Sequence, residues 1–122
     1  MTKPLESFQS RSFRFACAIV RLYLKLAARP SFPMHLARQL LRAGTSVGAN
    51  LEEAKAGQTR RDTAAKFSIA LKEARETRYW LRLMEATELV APALIADLMQ
   101  ESHELISMLT AARRKLNSSY HG

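Results

Sequence analysis

The chain has 122 residues, with 19 Lys and Arg against 11 Asp and Glu and a formal charge of +8. Its length sets one domain, or one domain with tails, and four Gly with four Pro are too few for a disordered or collagen-like chain. A lone cysteine, Cys17, excludes an internal disulfide framework and a cysteine-based zinc site.

The apolar period is helical along nearly the whole chain, and it marks segments at about 6–29, 34–56, 60–89 and 92–117. In the first, Phe15, Ile19, Leu22 and Leu26 repeat at helical spacing, with Ala16, Val20, Tyr23 and Ala27 one step round. So broad a face predicts a helix covered on more than one side. Cys17, inside this apolar run, reads as a buried core thiol. Arg29-Pro30-Ser31-Phe32-Pro33 stops the helix, because proline disfavours α geometry in the residue before it. Pro33 suits the first turn of helix two, where no amide donor is required.

Helix two buries Leu36, Leu40, Ala43, Val47, Leu51 and Ala54, and Gly57 is the expected left-handed cap. Thr59 with Asp62 is a capping pair that opens helix three. Phe67, Leu71, Ala74, Leu81 and Met84 form its main stripe, with Ile69, Trp80 and Leu83 on an adjacent one. Pro92 marks the next break. Helix four carries Leu94, Leu98, Leu105, Leu109 and Leu116 beside Ile95, Met99 and Ile106, and Asn117-Ser118-Ser119 is expected to end it. No strand candidate remains. Four such helices with short connections predict one all-α domain over 1–122, an antiparallel up-and-down four-helix bundle.

No stretch approaches the roughly 20 apolar residues of a membrane helix, and Arg21 interrupts the first apolar run, so no signal peptide is read. A cytoplasmic protein without a membrane partner is the expectation. Residues 1–44 hold eight basic residues against Glu6 alone, a net +7; residues 45–90 carry +1 and residues 91–122 carry 0. A clustered basic surface suits RNA or DNA. Arg11, Arg14, Arg21, Lys25, Arg38 and Arg42 are the candidate phosphate contacts. The other reading is a solvated face with no ligand, and both remain open on charge alone.

Chemistry has little to stand on. His35, His103 and His121 lie in separate regions, and no Glu-x-x-His pair exists for a di-iron bundle. There is no glycine-rich phosphate loop and no metal-binding Cys/His spacing. Glu52-Glu53 and Glu73/Glu76 resemble carboxylate pairs, yet Lys72–Glu76 and Asp62–Lys66 are spaced as ordinary helix-surface ion pairs. A catalytic residue, a cofactor, a metal and a small-molecule substrate are therefore not expected. A helix-turn-helix with its turn at Gly44 is the sharper rival. However, Leu40, Ala43, Val47 and Leu51 keep one helical phase through Gly44, so a single helix is predicted. Gly44 and Gly48 then allow a neighbouring helix to come close, against about 1 kcal/mol each in helix propensity.

Ser46, Asn50 and Glu53 form a polar stripe beside the apolar face, for which Glu73 and Glu76 on helix three are the expected partners. Apolar residues exceed what one core needs. Phe13, Val20 and Leu24 add to helix one, and Ile69, Tyr79, Trp80 and Leu83 to helix three. That excess predicts a homo-oligomer with the helix-three group as candidate interface; the alternative is that Trp80 only caps the bundle end.

Ser46-Val47-Gly48-Ala49-Asn50-Leu51-Glu52-Glu53 resembles the Ser-Ile-x-x-Asn-Ile-x-Glu signature of the four-helix-bundle family named for 23S rRNA intervening sequences. Ala70 to Leu81 resembles a second signature, typical of one branch, and Arg38-Gln39-Leu40 with Arg42-Ala43 also fits. Ala54 departs from the glycine that many members place after the Glu. The resemblance implies a bundle encoded within 23S rRNA genes or elsewhere in bacterial genomes, mostly without assigned activity. It also implies a homopentamer, since some similar bundles form one. A related accessory protein of diversity-generating retroelements is a basic pentamer that binds nucleic acid and a reverse transcriptase. By that analogy RNA or DNA is the implied ligand.

Overall fold

The computed structural model describes residues 4–57 and 59–121, with side chains over 8–57 and 59–118. Four helices run in order: α1 (Pro4–Ala27), α2 (Met34–Lys55), α3 (Arg60–Ala86) and α4 (Pro92–His121). Each packs closely on the next, whereas α1 and α4 meet far more loosely, so the bundle has one slack seam. Among the described residues there is no strand. The expected all-α four-helix bundle is the observed fold.

The stops follow local chemistry. α1 ends at Ala27, short of position 29, because Arg29 precedes Pro30 and is pushed out of α geometry. Phe32 N–H then closes on Arg29 C=O (3.3 Å) with Ser31 at φ 67°, the proline-first arrangement of a type II turn. The Arg29 guanidinium lies 5.2 Å from the Phe32 ring centre. α3 ends at Ala86 rather than near position 89, where Leu89 N–H reaches back to Met84 C=O at 2.9 Å. Glu88 takes the left-handed position at φ 61°, which completes a Schellman closure on a residue other than glycine. Thr59 Oγ1 accepts from Asp62 N–H at 3.0 Å and caps α3 as expected.

Gly57 does not adopt the expected left-handed cap, since no described glycine has positive φ. α2 instead tightens its last turn, with Ala56 N–H to Glu53 C=O and Gly57 N–H to Ala54 C=O, both 3.1 Å. Gly57 serves close approach: a Cβ there would stand 3.0 Å from Thr63 Oγ1 at the start of α3. α4 continues beyond Asn117-Ser118-Ser119 to His121.

The core falls into two clusters. One joins Phe15, Ile19, Leu22 and Leu26 to Leu40, Leu81, Met84 and Ile95. The other joins Phe8 to Val47, Leu51, Phe67, Leu71 and Leu109, with the Phe8 and Phe67 rings edge to face at 5.8 Å. The buried polar residues Ser12, Thr77 and Ser102 donate to carbonyls of their own helices, Gln9, Glu73 and Met99 respectively. Each hydroxyl is thereby satisfied without a partner across the bundle. α2 is unbroken through Gly44 and Gly48, and α1 is the close neighbour: Ile19 packs over Gly44, and Ser12 lies against Gly48.

Candidate nucleic-acid interface

α1 has a covered side and an open one. Phe15, Ile19, Leu22 and Leu26 are buried, but Phe13 is 69% exposed, Leu24 is 61% exposed, and Val20 is also exposed. Cys17 is half-buried, not a core residue as its apolar neighbours suggested. Phe13, Cys17, Val20 and Leu24 recur at i, i+4, i+7 and i+11, which makes them a ridge along one face. Within the protomer α2 and α4 cover only the inner half of α1 and leave this ridge open. Beside the ridge, Arg14, Arg21 and Lys25 recur at i, i+7 and i+11 and are exposed.

The six candidate phosphate contacts divide into two groups. Arg11 donates from Nε to Glu101 Oε2 (2.9 Å) and from Nη2 to Glu101 Oε1 (2.8 Å), with Glu104 at 3.4 Å. It is the ionic clasp of the slack seam. Hydrogen bonding to Glu101 raises its pKa against the opposing effect of burial. Arg42 bonds Glu73 (3.2 Å) and Glu76 on α3, and hydrogen bonding to Glu76 raises its pKa likewise. Arg14, Arg21, Lys25 and Arg38 make no ion pair among the described residues.

The polar stripe is wired differently from expectation. Glu73 and Glu76 pair with Arg42, while Glu53 takes Lys66 on α3 at 2.7 Å. Lys66 thus reaches across to α2 rather than along its helix to Asp62. Asn50 Nδ2 donates to the Ser46 carbonyl within α2 at 2.8 Å. Glu53, Glu73 and Glu76 therefore bind α2 to α3, and Arg42, counted from sequence as a surface cation, is the partner that reasoning missed. Its signal was present: Arg42 precedes Ser46 by one turn on the same face. Trp80 Nε1–H donates to Glu76 at 3.0 Å. That bond, reinforced by Arg42, holds the Glu76 carboxyl below the usual carboxylate range against the effect of burial.

Within the helix-three group, Ile69 and Tyr79 are exposed, whereas Trp80 and Leu83 are half-buried. Trp80 packs against the first core cluster. Along the seam a groove of about 490 Å³ has an apolar floor of Phe15, Ala18 and Leu98 and a wall of Arg11, Arg14, Asp97 and Glu101. Among the described residues no three His, Cys, Asp or Glu stand together as metal ligands, and no helix is long and apolar enough to cross a membrane.

The 23S rRNA-intervening sequence protein model matches residues 5–111. A crystal structure of a protein with unknown function from the S23 ribosomal protein family of Bacteroides thetaiotaomicron superposes with a TM-score of 0.86 at 36% identity, covering 92% of this chain and 99% of that one. No curated protein matches. The alignment spans all four helices, and the chain belongs to the 23S rRNA-intervening sequence protein family.

Proposed function

We propose that this protein is a non-enzymatic, cytoplasmic, self-assembling bundle that holds structured RNA or DNA through its basic α1 face. The observation that carries this reading is the row Arg14, Arg21 and Lys25, exposed on one side of α1 without ion pairs among the described residues. Cations with no internal counterion remain free to displace the counterions of a polyanion. Arg38 on α2 adds a fourth uncompensated charge. Arg11 and Arg42 serve the fold instead. Polarisation or filter binding with structured rRNA fragments at two salt concentrations tests the reading. Tight binding at low salt that weakens steeply at high salt supports it; no binding at low salt reduces the protein to an assembly module.

Self-assembly is argued from the ridge of Phe13, Val20 and Leu24, because a contiguous apolar face marks an association surface. The ridge is a better interface than the helix-three group, in which Trp80 already packs against the protomer core and Leu83 is half-buried. A ring of five is the assembly we propose, a number that rests on the family resemblance. It requires a heterologous contact that closes on itself. Such a ring repeats the basic face and raises its effective affinity for a long polyanion. Light scattering on a size-exclusion column at micromolar concentration checks it. A monomer mass ends the assembly claim, and a dimer or tetramer mass ends the ring of five.

A further inference from the structure

Counted along the chain, α3 looks nearly neutral on its outer half, because Glu73 and Glu76 offset its cations. In space they do not. Both carboxylates turn to Arg42 on α2, and Arg75, Arg78 and Arg82 are left without an ion pair among the described residues. These arginines recur at i, i+3 and i+7, so they share one side of the helix over roughly 10 Å of its length. Arg78 Nε is buried and has no hydrogen-bond partner, a donor that lacks an acceptor.

Tyr79 stands among them, 53% exposed. Its ring meets Trp80 edge to face at 5.2 Å and 73°, and the Trp80 N–H is held by Glu76. This braces the Tyr79 ring while leaving most of it open. Beside it lies a groove of about 340 Å³ between α3 and α4, lined by Tyr79, Arg82, Leu83, Glu85, Ala86 and Met99. Apolar walls, one stacking ring and a carboxylate acceptor match the face and edge of a nucleobase, and the flanking guanidiniums match its phosphates.

We propose that Arg75, Arg78, Tyr79 and Arg82 form a second nucleic-acid contact that takes an unpaired strand, with one base stacked on Tyr79 in the α3–α4 groove. It rests on the nucleic-acid reading above and adds a site, a strand state and a stacking residue to it. Arg14 of the α1 row also walls the seam groove, but the ring in that groove, Phe15, is buried, and the exposed Phe13 belongs to the apolar ridge, so the α1 row offers phosphate contacts without a stacking platform. α3 discriminates single strand from duplex because a paired base cannot leave its stack without an added cost.

The test is fluorescence polarisation of a labelled oligouridylate of about 12 nucleotides, a length within the range that one single-strand site occupies, beside an RNA duplex of equal length. Wild type is compared with Tyr79→Ala, Tyr79→Phe, the pair Arg75→Gln/Arg82→Gln, and the α1 triple Arg14→Gln/Arg21→Gln/Lys25→Gln. All are surface changes, and a circular-dichroism melt checks that each variant is folded. Tyr79→Ala is expected to weaken the oligouridylate roughly tenfold while leaving duplex affinity unchanged, and Tyr79→Phe restores it. The arginine pair lowers the salt slope for the single strand by about 1.4. The fluorescence of Trp80, the sole tryptophan, changes on binding oligouridylate. Wild-type affinity in both Tyr79→Ala and the arginine pair, with loss in the α1 triple, overturns the α3 site and leaves the α1 reading standing. Equal weakening of single strand and duplex by Tyr79→Ala also overturns it. Polyglutamate binding with the same variant pattern, and no RNA binding, reassigns the face to acidic proteins. Absence of binding by wild type to either RNA at low salt removes both readings.

Discussion

Gly44 and Gly48 face the same neighbour at different clearances, and the difference decides the sign of substitution. A Cβ at Gly44 would lie 2.7 Å from Ile19 Cγ1 and 2.8 Å from its Cγ2, so the buried Ile19 would have to shift. Overpacking of that kind costs about 1–3 kcal/mol, more than the roughly 1 kcal/mol alanine returns in helix propensity. Gly44→Ala is expected to lower the melting temperature. At Gly48 the nearest atom is Ser12 O at 3.4 Å, an ordinary contact, so Gly48→Ala is expected to raise it, with a gain of up to about 1 kcal/mol. Paired thermal melts check both. Glu76 is expected to make the α2–α3 junction sensitive to acid. Its pKa is depressed from 4.5 by Trp80 and Arg42, so its contribution is complete above that value and is lost as pH falls through the lower folded one. Melts of wild type and Glu76→Gln should differ near neutrality and converge in acid; a constant gap would contradict the assignment.

The helices themselves were legible from apolar spacing, because every residue of the main stripes in α1 and α3 is buried. Thr59 placed the start of α3 correctly, Pro33 stands as the extended N-cap of α2 rather than in its first turn, and Pro30 placed the α1 stop only approximately, since the helix already ends at Ala27. The α3 end was not legible. Glu88 gives no sign in sequence that it will take φ 61°, a conformation normally left to glycine at a cost near 1 kcal/mol for other residues. Glu88→Gly should therefore raise stability by up to about that amount, which a denaturant titration with unchanged slope would show. The candidate site was legible in part. Arg14, Arg21 and Lys25, singled out by the basic first third, are exposed and make no ion pair among the described residues, but charge counting cannot tell a free arginine from a clasped one. Arg11 and Arg42 are clasped by carboxylates distant in sequence from them. The same blindness hid Arg75 and Arg82, whose apparent counterions face another helix.

At the scale of the whole molecule, the bundle is asymmetric. α2 and α3 are joined by Arg42–Glu73 and Glu53–Lys66, whereas α1 and α4 share a slack seam closed by Arg11 with Glu101 and Glu104. The outer face of α1 carries an apolar ridge and a basic row side by side, so the proposed assembly and the proposed polyanion binding would draw on adjacent surfaces. Leu24→Glu should accordingly shift the light-scattering mass toward the protomer without lowering protomer stability, because Leu24 is exposed rather than part of the core. An unchanged mass would place the interface elsewhere.

The central claim is that uncompensated cations hold nucleic acid by its phosphates. Its most direct test is the affinity for a structured rRNA fragment measured across a salt series with wild type and the Arg14→Gln/Arg21→Gln/Lys25→Gln triple. Three phosphate contacts predict that log affinity falls with log salt at a slope steeper by about 2.7 in wild type than in the triple variant. Equal slopes in the two proteins, or no binding by wild type at low salt, would contradict the account.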